Sequence, residues 1–275
     1  MKSKWIIILF ICLFANCMLL GCSQKEKKPE QTTSDGKPQA PAGMDKIRSE
    51  LDTIIAELEK KMKQSKSSLL QNTQVVKEEE GQQPEKKSEG PPGGQNQQQK
   101  GENMLSDWQK EEDSLRKIHQ SWNEVEPEAM KAGLNVQKRN QFENDLKSLT
   151  FEIGQKQLEG SLIAAVNLVE GYANLVEVFR TPVPPGYYKV TYEAMAATAQ
   201  AGRNNWEAAQ GHVPSLTENW ESLRPKAEEA DKKTSAQIDF AVKDMAEAIN
   251  SQQINLVLIK GEILLNNLKK LEKKF

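Results

Sequence analysis

Cysteine is missing from most of this 275-residue chain, because all three cysteines lie within the first 22 residues. A folded domain beyond them has no disulfides and no thiolate metal ligands, so burial of apolar side chains must stabilise it. Histidine is also scarce. His119 and His212 are the two present, and neither follows a Glu by three positions as in di-iron helical bundles.

Charge of one sign is lacking too, since 37 basic residues face 39 acidic residues and the two kinds alternate along the chain. Nucleic-acid binding depends on clustered Lys and Arg, so we expect no nucleic-acid partner. The chain also lacks a Gly-rich phosphate loop, a G-x-S-x-G elbow and a C-x-x-C-H haem motif. These absences predict a protein that is not an enzyme and holds no metal or cofactor.

The first 21 residues have the pattern of a secretory signal. Lys2 and Lys4 precede an apolar run from Trp5 to Leu20, which is shorter than the roughly 20 residues of a membrane-spanning helix. The run ends in Leu19-Leu20-Gly21-Cys22, which resembles the lipobox of bacterial lipoproteins. The resemblance implies a signal peptide over 1–21, acylation of Cys22, and a mature protein held on the extracytoplasmic side of a membrane. The alternative is an uncleaved membrane anchor.

Three segments follow the signal. Residues 22–43 are polar and contain proline, which predicts a flexible tether. Residues 44–71 have an a/d spacing of apolar residues, which predicts an amphipathic helix that either docks on the main domain or self-associates weakly. Residues 72–103 are rich in Gln, Glu, Lys, Gly and Pro, which predicts a disordered linker.

The remainder, 104–275, has helical periodicity in four stretches and no strand pattern, with a break at the proline-rich residues 180–188. The sequence leaves open whether the second and third stretches are continuous or broken near Gly154 and Pro214. Trp108 and Trp122 recur 98 residues later as Trp206 and Trp220, together with a proline, two alanines and Phe142 matched to Phe240. Past Phe142 the match needs a two-residue gap. The spacing predicts an all-α antiparallel four-helix bundle built from two tandem helical hairpins, with halves at about 104–180 and 188–275.

Two features of the bundle have a structural and a functional interpretation. Pro127 and Pro225 follow the tryptophans, and we expect them to steer each chain end into its hairpin turn. The aromatic residues are predicted to be core or, alternatively, a ligand or partner surface; they are Tyr187, Tyr188, Tyr192, Trp108, Trp122, Trp206 and Trp220.

The sequence thus predicts a lipid-anchored envelope protein that binds or scaffolds a partner protein without catalysis. The alternative function is a small-ligand- or metal-responsive helical bundle for uptake or sensing at the envelope.

Overall fold

Helices account for nearly all of the described chain, which confirms the all-α prediction. The computed structural model describes residues 36–79 and 105–275, with the side chains of the first helix described up to residue 65. Within these ranges there are seven helices and no strand. They are α1 (Ala42–Glu79), α2 (Gln109–Lys131), α3 (Val136–Gly154), α4 (Leu158–Val176), α5 (Pro185–Gly202), α6 (Trp206–Asn250) and α7 (Ile254–Glu272). The predicted signal peptide, Cys22, most of the tether and most of the linker lie outside the described residues.

Helix α1 is longer than predicted and belongs to the core. Its apolar residues recur at steps of three and four and are at most 1% exposed; they are Met44, Ile47, Leu51, Ile54 and Leu58. This stripe packs against α2 and α4 of the same chain. Just before α1, Ala40 N donates to Arg180 O and Arg180 N donates to Pro38 O, so the end of the predicted tether is fixed to the helical unit. The stripe that would pair two copies is therefore occupied within one chain.

The region from 105 to 275 contains six helices where the periodicity predicted four. The two additional breaks fall at Lys156 and Gln252, which have positive φ values of 55° and 54°. At each break the next amide donates back to a carbonyl five residues earlier, Gln157 N to Glu152 O and Gln253 N to Ala248 O. Left-handed residues close helix ends in this way and reverse the chain. The antiparallel four-helix bundle of two hairpins is therefore not confirmed.

The two prolines lie within helices, a few residues before the turns into which we expected them to steer the chain. Pro127 lies inside α2 and Pro225 inside α6. After α2, Gly133 turns the chain with φ of 98°, and Asn135 then caps α3 by accepting a hydrogen bond from Gln137 N. In α6 the only non-helical residue is Asp231, which accepts hydrogen bonds from Lys233 N and Thr234 N. Asp231 therefore divides α6 into two helical arms.

The first half of the repeat contains two residues, Gly133 and Leu134, that the second half lacks. Before this turn matching residues are 98 positions apart, and after it they are 96 positions apart. Helices α4 and α7 each have 19 residues and begin 96 residues apart. Phe142 is fully buried and matches the fully buried Ile238, whereas Phe240 is 68% exposed, so the predicted match of Phe142 to Phe240 was wrong. Gly133 and Leu134 have no counterparts, because the second turn passes directly through Asp231.

The first helix of each series also corresponds. Pro41, Gly43, Lys46 and Glu50 match Pro184, Gly186, Lys189 and Glu193 at a spacing of 143. A Cβ atom on Gly43 would lie 2.7 Å from Val125 of α2, and one on Gly186 would lie 3.6 Å from Leu223 of α6. Val125 and Leu223 are themselves 98 residues apart. We therefore name α1–α4 the first series and α5–α7, with its bent α6, the second series.

Four helices, which we call the inner helices, bring the two series together; they are α1, α4, α5 and α7. Helix α1 packs on α4 within the first series, α5 packs on α7 within the second, and α4 packs on α5 between them. Helices α1 and α7 make no comparable contact within the described residues. Lys37–Phe275 forms one compact unit, and every described core residue belongs to it.

Candidate functional site

The open interface between α1 and α7 forms a cleft, and α4 and α5 form its floor. The cleft has a volume of about 370 Å³, which is in the range of small-molecule sites. Its apolar lining comes from all four inner helices; it includes Ile55, Leu162, Val166, Met195 and Leu265. Helices α7 and α1 correspond to α4 and α5, which pack directly on each other. If α7 packed on α1 in the same way, their side chains would fill the cleft.

One end of the cleft carries a buried cation. Arg48 of α1 is 13% exposed, and its Nε lies 3.1 Å from Asp52 Oδ2. Its guanidinium carbon lies 5.3 Å from the ring centre of Tyr188. Burial raises the pKa of Asp52, against the opposing effect of Arg48, and the nearby Glu272 raises it further. This end therefore holds a poorly solvated ion pair.

The other end is more exposed, and its Lys63 and Glu262 side chains are 73% and 63% exposed. Lys63 of α1 lies 3.8 Å from Glu262 of α7, and among the described residues this is the one ion pair that joins the two walls. Arg203 and Glu159 form a second exposed pair nearby at 3.9 Å. Between the two ends, burial raises the pKa of Glu59. Exposed pairs of this kind contribute little to stability, so they do not hold the cleft closed.

The predicted tyrosine surface lies mostly inside the protein. Tyr187 is 2% exposed and Tyr188 is 6% exposed, and their rings pack edge to face at 5.1 Å. Tyr187 donates a hydrogen bond to Glu272 Oε2 at 3.0 Å and lines the cleft. Burial raises the pKa of Tyr188 to about 12. Tyr192 is partly buried and packs edge to face on the ring of His212.

The four predicted tryptophans do not line the cleft. Trp108, Trp122 and Trp220 are at most 4% exposed, and Trp206 is partly buried against the core. Trp122 Nε1 donates to Glu143 Oε1 at 2.5 Å, and Trp220 Nε1 donates to Asp239 Oδ1 at 2.9 Å. The two acceptors are 96 residues apart. Each indole thus ties one helical arm to the next, which is a structural role.

Each of the two histidines contacts a different polar side chain. His119 Nε2 lies 2.8 Å from Thr150 Oγ1, and His212 Nδ1 lies 2.7 Å from Glu193 Oε2. No group of three or more His, Cys, Asp or Glu side chains suited to a metal ion occurs in residues 36–79 and 105–275. Within the same ranges no helix is long and apolar enough to cross a membrane.

Sequence reasoning missed the cleft residues Arg48, Asp52 and Glu59. A signal was available, because these three lie beside the apolar stripe of α1 and recur on a neighbouring row with Ile55 and Lys63. The row mixes apolar and charged side chains. A surface-facing row is more uniformly polar, so the mixture indicated a partly buried boundary.

Comparisons with known proteins provide no assignment for this geometry. No family model, curated protein or solved structure matches the chain.

Proposed function

We propose that this chain is a lipid-anchored, extracytoplasmic binding protein that is not an enzyme. The anchor is the acylated Cys22 implied by the lipobox resemblance. The binding unit is the compact region from Lys37 to Phe275, which follows a short polar segment. The observation that carries the binding role is the cleft, where α1 and α7 stand apart although the matching helices α4 and α5 are packed together.

The cleft favours a small molecule as the bound partner. A volume of about 370 Å³ with apolar walls and a few charged groups suits a ligand that is much smaller than a protein domain. The envelope protein partner expected from the sequence is a second candidate. Exposed apolar side chains on α7 favour it, because Ile259 is 56% exposed and Ile263, one turn further on, is 44% exposed.

The arrangement of helices supports a proposal about origin. We propose that the two series descend from one four-helix unit by tandem duplication, with the long linker inserted after the first helix of the first copy. Support comes from the shared offsets of the helix ends, the tryptophan hydrogen bonds and the glycine contacts. The ligand cleft then lies at a junction of the copies, as sites between domains often do.

Metabolic labelling of cells with a fatty-acid probe tests the anchor. The wild-type chain should incorporate label and fractionate with membranes, and Cys22→Ala should abolish both. Cys17→Ala is the matched control and should be labelled normally. If Cys22→Ala still incorporates label, the anchor proposal is wrong.

Native mass spectrometry of the fragment 37–275, purified without detergent from producing cells, tests binding in the cleft. We expect a co-purified small molecule that is depleted when Ala56, an exposed residue at the cleft mouth, is changed to Trp. Ala236 is an exposed alanine on α6 away from the cleft, so Ala236→Trp is the control and should retain the molecule. Equal retention by both variants would contradict binding in the cleft.

A further inference from the structure

The chemistry of the cleft identifies a ligand class, and this inference rests on the binding role proposed above. Arg48 provides the first clue. A guanidinium carries five N–H donors. Arg48 Nε and Nη1 are both buried; Nε contacts Asp52 Oδ2 at 3.1 Å without a well-aligned hydrogen bond, and Nη1 has no acceptor among the described residues. A buried charged donor without an acceptor is costly to leave unsatisfied.

The protein's own acids do not supply that acceptor. Asp52 forms an ion pair with Arg48 Nε at 3.1 Å and leaves the buried Nη1 without an acceptor. Glu272 accepts the hydrogen bond of Tyr187 instead. The Arg48 end of the cleft therefore has a cation with unused donors, and an acceptor from outside the chain would complete it.

The shape and lining of the cleft provide the second clue. Its α1 wall runs from Arg48 to Lys63, about 22 Å at the rise of an α-helix. Between these two ends the floor is apolar and contains Leu162, Val166 and Met195. A long apolar trough with a cation at one end matches a linear amphiphile, whose chain covers the apolar floor and whose head group meets the cation.

The chain itself offers little to fill this trough. Residues 81–103 contain no Ile, Leu, Val, Met, Phe, Trp or Tyr. A segment of that composition gains almost nothing by covering an apolar floor. The apolar run at 5–20 lies in the predicted signal peptide, and the fragment 37–275 excludes it from any test.

We propose that the α1–α7 cleft binds an amphiphile with a linear alkyl chain and an anionic, hydrogen-bond-accepting head, with the head at Arg48. A fatty acid and the acidic head of a short-chain phospholipid share this chemistry. At the Lys63 end, Lys63 lies beside Glu262 and Arg203 lies beside Glu159, so these cations have acidic partners, and the buried Nη1 of Arg48 is the donor to which we assign the head group.

The test measures displacement of a dansyl-labelled fatty acid from delipidated fragment 37–275. The competitors are laurate, its uncharged analogue lauroyl glycerol, the cationic dodecyl-trimethylammonium and a short-chain phosphatidylglycerol below its micelle concentration. Laurate should displace the probe at concentrations at least about tenfold lower than the cationic analogue does, because one hydrogen bond to a charged group is equivalent to about a tenfold change in affinity.

Two variants separate the chain contact from the head contact. Ala56→Trp should weaken every competitor by about tenfold or more, while Ala236→Trp should weaken none. Arg48→Gln should remove the preference for laurate over lauroyl glycerol and leave lauroyl glycerol itself within about twofold of wild type. Circular dichroism and thermal unfolding of each variant show that the fold is retained.

The outcomes are distinct. Laurate alone, phosphatidylglycerol alone or both displacing the probe supports the proposal and identifies the source of the head group. Failure of both acidic amphiphiles, an unchanged response of Ala56→Trp, or preserved laurate preference in Arg48→Gln overturns it. If the amphiphile proposal fails in this way, the proposed binding role is judged separately. It would still be supported by fatty-acid labelling of Cys22 together with a co-purified molecule of another class.

Discussion

The first and second series share a framework and differ in their first helix. In both, a tryptophan donates to a carboxylate on the next arm, and that carboxylate lies 3.6 Å from a lysine one turn further on, Glu143 with Lys147 and Asp239 with Lys243. The first helices begin alike but differ in the size of their buried apolar side chains. Helix α1 carries Leu51, Ile54 and Leu58 where α5 carries Ala194, Ala197 and Ala201.

This difference has a physical consequence for packing. Distances between helix axes depend on side-chain size at the contact. The alanines allow α5 to lie among α4, α6 and α7. Helix α1 has larger side chains and packs mainly on α2 and α4. The comparison teaches that a repeated framework can close one of its two junctions and leave the other open as a cleft.

The largest expected effect comes from an interaction that exists only in the first series. Lys61 of α1 and Glu111 of α2 form an ion pair of 2.5 Å at 2% and 1% exposure, and the Lys61 ammonium lies 4.2 Å from the Trp108 ring centre. Lys61→Met leaves a buried carboxylate unpaired and should lower the free energy of unfolding by about 3–5 kcal/mol, measured by urea denaturation.

The double variant Lys61→Met with Glu111→Leu should recover most of that loss, because two apolar side chains replace the pair. The matched control is Lys117→Met, which removes an exposed partner of Glu50 and should change stability by less than about 1 kcal/mol. Equal effects of Lys61→Met and Lys117→Met would show that α1 does not depend on its buried ion pair.

The next effect tests the shared framework. Trp122→Phe and Trp220→Phe each remove an indole hydrogen bond to a carboxylate, and each should lower the free energy of unfolding by about 1.5–3 kcal/mol. Lys147→Ala and Lys243→Ala remove only exposed charges beside the same carboxylates and should have almost no effect. A large loss in one tryptophan variant and none in the other would mean that the two arms are held differently.

A smaller effect separates the turn glycine of the first series from a helical glycine of the second. Gly133 has φ of 98°, so Gly133→Ala forces a side chain into a left-handed conformation and should lower the free energy of unfolding by about 1 kcal/mol. Gly211 lies inside α6 with open space around it, so Gly211→Ala should raise stability by about 0.5–1 kcal/mol. The two glycine variants would have the same sign only if Gly133 relaxed to a negative φ.

The smallest effect concerns acid sensitivity. Asn135 and Asp231 cap corresponding helices, but only Asp231 ionises. Hydrogen bonds from the backbone of Thr234 lower the pKa of Asp231 below its usual value. Its stabilising contribution is therefore complete above the unfolded pKa of about 3.9 and is lost as the pH falls through the folded pKa.

We expect Asp231→Asn to retain the cap and to flatten the acid limb of the pH–stability curve slightly. Asn135→Asp should make that limb slightly steeper. Thermal unfolding between neutral and strongly acidic pH measures both. Parallel curves for wild type and Asp231→Asn would contradict a role for the ionised cap.

The sequence was sufficient for the features that local patterns determine. The a/d stripe from Met44 to Leu58 predicted an amphipathic helix, and the tryptophan pairs revealed a spacing that recurs in the structure. The sequence left open a break near Gly154, but it did not identify Lys156 or Gln252, because a left-handed residue that is neither Gly nor Asn leaves no signal at a helix end. The lipid anchor at Cys22 stays a prediction.

The candidate site was harder to predict than the helices. A stripe shows which face of α1 is buried, but it does not show which helix covers that face or that α7 stays apart from α1. Tyr187 was singled out for its residue type and lines the cleft. Arg48 was missed because an isolated arginine on a helix is ordinarily solvated, and its burial depends on three helices that are distant in sequence.

The connection between α1 and α2 has a consequence for the order in which the molecule comes apart. Residues 80–108 separate these helices, whereas Arg203–Asn205 separate α5 from α6. Closing the longer connection costs about 2 kcal/mol more in chain entropy. Helix α1 should therefore be the last helix to join during folding and the first to exchange its amide protons in the native protein. An amphiphile bound between α1 and α7 would stabilise the docked state of α1. Ligand binding should therefore be measurable as slower exchange of the amide protons of α1.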